Sequence, residues 1–81
     1  MSEKYQPISC AQHDRLELSV LRKSCLEMHF ETEGGAVQER VFPIDVFTRN
    51  GEEWFKFKRE NGELVEIRLD KIISFHEINH F

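Results

Sequence analysis

A mainly β domain is predicted: a small bent antiparallel barrel of about five strands preceded by one N-terminal α-helix. Three observations carry that prediction. From Leu26 onward apolar residues recur at every second position, the period of a half-buried strand. Turn-forming pairs, Gly34-Gly35, Asn50-Gly51 and Asn61-Gly62, punctuate the alternation. Before it, Ser9 stands three residues ahead of Gln12, the spacing of a helix capping box.

The elements follow in order. Residues 1–8 read as an extended arm, because Pro7 biases Gln6 toward extended geometry. A helix starts at Cys10 and runs to about Val20, placing Leu16 and Val20 together and Asp14 and Glu17 on a neighbouring face; Leu16, Leu18 and Val20 also alternate like a strand. Leu26, Met28 and Phe30 then face inward on the first strand. Glu33-Gly34-Gly35 makes the turn, and Val37, Glu39 and Val41 share one face of the returning strand. Pro43, which has no N–H to donate, ends that strand or places it at an edge. Residues 44–51 form the longest connection, closing at Asn50-Gly51. Phe55 and Phe57 point inward with Trp54 exposed, and Asn61-Gly62 is a two-residue hairpin of the I′ type. Val65, Ile67 and Leu69 point inward. A tight helical turn over Asp70-Lys71-Ile72 precedes a last strand through Ile73 and Phe75. With 81 residues the chain is expected to form a single domain, residues 1–81.

Charge narrows the function classes. The net charge is −4, and residues 25–47 account for all of it, carrying Glu27, Glu31, Glu33, Glu39 and Asp45 against Arg40 alone. A polyphosphate would be repelled along that stretch, whereas a basic protein surface would be attracted, mainly as a faster encounter. The plainer reading of the same charge is a solvated, solubilising surface. Two cysteines, Cys10 and Cys25, make no disulfide framework. With no signal-like segment after Met1 and no run of membrane-spanning length, the expected location is the cytoplasm, with both thiols reduced.

No catalytic constellation emerges. Cys10 and His13 at a helix start lack a third orienting group, so Cys10 reads as a partly buried structural residue. The spacing of His13, His29, His76 and His80 matches no zinc-ligand pattern. Glu52 and Glu53 point to opposite faces of a strand, which separates them as an acid/base pair. Trp54 beside Lys56, Lys58 and Arg59 is the best nucleic-acid feature, but Glu52, Glu53 and Glu60 flank it, and pairing with Glu63 or Glu66 is the simpler role. No cofactor is expected.

Two blocks carry a family likeness. Tyr5-Gln6-Pro7-Ile8-Ser9-Cys10, then Asp14 and Leu16-Glu17-Leu18, together with Ile67-Arg68-Leu69-Asp70-Lys71-Ile72 and Ser74-Phe75, resemble the Rof (YaeO) family of bacterial Rho inhibitors. The blocks bracket the chain, residues 33–60 are much less similar, and Thr48-Arg49-Asn50 matches a polar loop of the family only loosely. The resemblance implies an Sm-like fold and a non-enzymatic inhibitor that binds the primary RNA-binding domain of Rho and reduces termination. It implies Asp14 and Glu17 as contacts, with Tyr5, Gln6, Arg49 and Asn50 as further ones. Against these stand local roles: Asp14 favouring the helix dipole, Glu17 pairing near Arg15 or Lys23, and Tyr5 packing on the barrel. Ala11, Gln12 and His13 depart from a more acidic and aromatic stretch in the family. The partner expected is Rho, with no direct nucleic acid, no membrane and a monomer when free. The competing expectation is an Sm-like RNA-binding protein assembled into a ring, against which the acidity and Pro43 both argue.

Overall fold

Why the first helix forms, and where it stops, is visible at its two ends. The computed structural model describes residues 8–78, in which α1 spans Cys10–Arg22. Ser9 caps it in an extended conformation, its hydroxyl accepting from the Gln12 amide at 3.2 Å. Only this half of the capping box forms; among the described residues no bond returns from the Gln12 side chain. The helix runs two residues past the expected Val20, since neither Leu21 nor Arg22 breaks it and Arg22 suits the negative end of its dipole. It ends at Lys23, which takes the left-handed conformation (φ 57°, ψ 38°) and donates its amide to Ser19 and Val20 carbonyls. A residue with a Cβ is strained there, and Lys23→Gly is expected to raise stability by about 0.5–1 kcal/mol, read as a higher urea midpoint. A lower midpoint would show that the lysine side chain contributes more than its backbone costs.

Five antiparallel strands follow: β1 (Leu26–Thr32), β2 (Gly35–Arg49), β3 (Glu52–Arg59), β4 (Leu64–Arg68) and, after a 3-10 turn at Leu69–Lys71, β5 (Ile72–Glu77). They form one sheet in the order β4-β3-β2-β1-β5. The predicted helix-then-strands order and the mainly β class hold. The sheet is bent but not closed, because among the described residues β4 pairs with β3 only and β5 with β1 only.

Three local expectations are corrected. Pro43 neither ends β2 nor lies in an edge strand: β2 is central and continues to Arg49. The proline fits because the ladder to β1 has already stopped at Leu26↔Val41, and a bulge between Pro43 and Asp45 interrupts the ladder to β3. It therefore has no bearing on edge pairing. Residues 44–51 are consequently strand and a tight turn rather than a long connection; Asn50 (φ 53°) and Gly51 (φ 77°) supply the two positive angles of a I′ turn. The other Asn-Gly pair is not of that type. Only Gly62 is positive (φ 91°), and Arg59 and Glu63 bracket a three-residue loop through an Arg59 N–H to Glu63 carbonyl bond of 2.8 Å. The helical turn near Asp70 sits one residue earlier than expected, and Leu69 is buried within it.

Leu16, Leu26, Met28, Phe30, Val41, Phe55, Phe57, Leu69 and Phe75 form the core. Phe57 packs edge-to-face on Phe30 at 5.3 Å and tilts against Phe55 at 5.4 Å. Val37 and Val41 precede the bulge with odd numbers inward; after it Val46, opposite Phe55, takes the inward place. The helix lies on this inward side, seated by Leu16 and, at its flanks, by polar ties to β3 and β5. Arg15 sits 4.8 Å over the Phe75 ring and reaches the Phe75 carbonyl at 3.5 Å, while Arg22 pairs with Glu77 at 3.6 Å.

Candidate acidic docking face

The helix brings its acidic residues together. Asp14 and Glu17 lie one turn apart, and each places a carboxylate oxygen within 4.8 Å of the other and of a His13 ring nitrogen. Both acids are exposed. No acidic residue lies in the first turn of α1, so Asp14 is past the reach of the helix dipole and that local role does not apply. Glu17 pairs with neither Arg15 nor Lys23; its neighbour is His13 Nδ1 at 3.6 Å.

His13 is less exposed than a solvent-face histidine would be. Its Nε2 contacts the Glu53 carboxylate of β3 while Nδ1 faces Glu17, so the ring ties helix to sheet across forty residues. Glu53 reaches it because it shares the inward face with Phe55 and Phe57. Glu52 points the other way, to Arg68 at 3.3 Å, as the alternation requires. Cys10 is exposed rather than partly buried, and Cys25 is half-buried.

The charged side chains of the sheet are matched on both faces, Arg49 and Arg68 on the face away from the helix and Arg59 on the inward one. Arg49 lies 5.0 Å over Phe47 and 5.1 Å over Trp54 and pairs with Glu66 at 2.8 Å. Trp54 is therefore half-buried under a cation and not an exposed stacking platform. Arg59 turns inward, forked by Glu39 at 2.5 and 3.2 Å and paired with Glu63 at 3.0 Å. The hydrogen bond and charge of Glu39 hold its guanidinium above the ordinary arginine pKa against the opposing effect of burial, with Glu63 adding to the rise. Arg59 therefore stays a cation through neutrality and loses its charge only in strong alkali, so its side of this tie is constant around neutral pH.

The sequence-predicted contacts thus divide. Asp14 and Glu17 are gathered on the helix, with no Lys or Arg in salt-bridge reach among the described residues. Asn50 is at the tip of the β2–β3 hairpin, and Arg49, just before it, is engaged on the Trp54 face, away from the helix. Tyr5 and Gln6, with most of the expected arm, lie outside the described residues. Sequence reasoning missed Glu53 as the helix's tether, although the β3 alternation puts it on the inward face. Among the described residues no helix is long and apolar enough to cross a membrane.

A helix seated on a bent five-stranded sheet, with its own carboxylates turned outward, makes this a small mainly β domain that presents an acidic face to solvent. Residues 7–80 match the family described as "Modulator of Rho-dependent transcription termination (ROF)", and the chain belongs to that family. By its description this is a regulatory family rather than an enzyme family. The chain is 35% identical to Protein rof of Escherichia coli (strain K12) over 75 residues, covering 93% of this chain and 84% of that protein, and equally to Protein rof of Shigella flexneri. In fold alone it is similar to a solved structure of the proteasome accessory factor B/C of Arthrobacter aurescens, with a TM-score of 0.76 and 12% identity. That likeness covers 93% of this chain but only 13% of the other.

Proposed function

We propose that this chain, acting as one domain and a monomer when free, docks on the primary RNA-binding domain of the termination factor Rho, blocks RNA loading and so reduces Rho-dependent termination. The observation that carries the reading is the pair Asp14 and Glu17, exposed and adjacent, without a Lys or Arg partner among the described residues. A surface built to bind RNA displays Lys and Arg spaced for phosphates. Carboxylates on a rigid helix meet the same cations with charge-assisted hydrogen bonds. Membership of a family described as modulating Rho-dependent termination supports Rho as the target. Tyr5 and Gln6, ahead of the helix, and Arg49 and Asn50 at the β2–β3 hairpin are further contacts in this reading, Arg49 from the Trp54 face rather than from beside the two acids. The mechanism needs no cofactor, no catalysis, no nucleic acid held by the chain itself and no membrane, and it operates in the cytoplasm.

The test is RNA binding by purified Rho with the chain added in increasing amounts. RNA should be displaced, and displacement should weaken with added salt, because exposed ion pairs are screened within about 8–10 Å at ordinary ionic strength. Unchanged RNA affinity in the presence of excess chain would overturn the proposal.

A further inference from the structure

Between α1 and the bulged part of β2 lies an open cleft of about 280 Å³, lined by Glu17, Val20, Leu21, Asp45 and Val46. Its walls are aliphatic, and an acidic residue lines each side, Glu17 from the helix and Asp45, opposite Lys56 in the ladder to β3, from the strand immediately after the bulge. Leu21 is 78% exposed, far more than Leu18 at 44% on the same helix. Neither carboxylate has a salt bridge to a Lys or Arg among the described residues; Glu17 faces only His13.

Aliphatic walls with acids at the rim fit a particular occupant. A purely apolar side chain would cover the walls but desolvate two carboxylates without compensation. A phosphate would meet two like charges. A lysine or arginine lays its methylene stem on apolar surface while its head stays with charge. We infer that the α1–β2 cleft receives a lysine or arginine side chain of the partner protein, its stem on Val20, Leu21 and Val46 and its head between Glu17 and Asp45. The inference rests on the proposed docking to Rho and deepens it. The interface extends from the exposed helix face across the seam to β2, and the bulge at Pro43–Asp45 brings the second acid to the seam.

Binding of Rho to the wild-type chain and to Asp45→Lys, Leu21→Ser and Asp14→Lys chains decides it, with a thermal melt confirming that each variant folds. Asp45→Lys should weaken the complex about tenfold or more, by repulsion. Leu21→Ser changes no charge and should weaken it about threefold or more at unchanged salt dependence. If both bind like wild type while Asp14→Lys does not, the cleft is refuted and the Rho reading stands. If the wild type itself fails to bind, the Rho reading falls and the cleft is tested alone by titrating isotope-labelled chain with N-acetyl-Gly-Arg-Gly amide. Saturable shifts at Val20, Leu21, Asp45 and Val46, absent in Asp45→Lys, would uphold the cleft. Their absence from the wild type would overturn it.

Discussion

Replacing Asp14 by lysine is expected to abolish the complex with Rho in gel filtration while leaving the thermal melt of the chain unchanged. Asp14 is exposed and forms no ion pair with a described residue, so its loss costs the fold little, within about 0.5 kcal/mol for a surface site of this kind. At an interface the same change replaces an attraction by a repulsion beside Glu17. Like-charge juxtaposition there costs several kcal/mol, on the order of a hundredfold or more in affinity. Asp14→Asn should fall between the two, because it removes the attraction without adding repulsion. An undiminished complex with the lysine variant would take Asp14 out of the interface.

Leu16→Ala is expected to have the largest effect on stability, about 2–5 kcal/mol from lost burial and the cavity left behind. Leu16 is the only fully buried apolar side chain α1 contributes, among the described residues, to a core otherwise supplied by the sheet. A small domain has roughly 5–15 kcal/mol in total, so the loss is a large share, measurable as a lower urea midpoint with Trp54 fluorescence as the probe. Leu18→Ala, on the exposed side of the same helix, should change the midpoint by no more than about 0.5 kcal/mol. Equal effects of the two substitutions would mean that the helix is not held by Leu16. RNA displacement from Rho should also weaken in the Leu16 variant, although every carboxylate is still present, because the acids act from a fixed seat.

What the sequence made legible was local. The two-residue alternation placed Leu26, Met28, Phe30, Phe55 and Phe57 inside, and the Ser9 cap placed the start of α1. Asp14 and Glu17 were readable as neighbours for the same reason, since a helix sets their spacing without help from the rest of the chain. The length of β2 was not readable: Pro43 reads as a stop, and only the end of the β1 ladder at Val41 shows why a central strand tolerates it. The two Asn-Gly pairs look alike in sequence, yet strand register gave the I′ turn to Asn50-Gly51 and a three-residue loop to Asn61-Gly62. The contact of His13 with Glu53, and the cleft that Glu17 and Asp45 both line, join distant segments in ways that no periodicity encodes. Trp54 was misjudged because its cover, Arg49, arrives from the neighbouring strand.

The pairing of β1 with β5 sets a limit on when the fold can be completed. Leu26 finds its partner in Glu77, and Phe75, which closes the core beside Met28, lies on the same late segment. Three strands must be laid down in between, so the ladder joins stretches of polypeptide far apart along the chain, the arrangement that slows folding most. On a translating ribosome α1 emerges long before the strand that completes the layer beneath it, and its acidic face acquires a rigid backing only once β5 has left the exit tunnel.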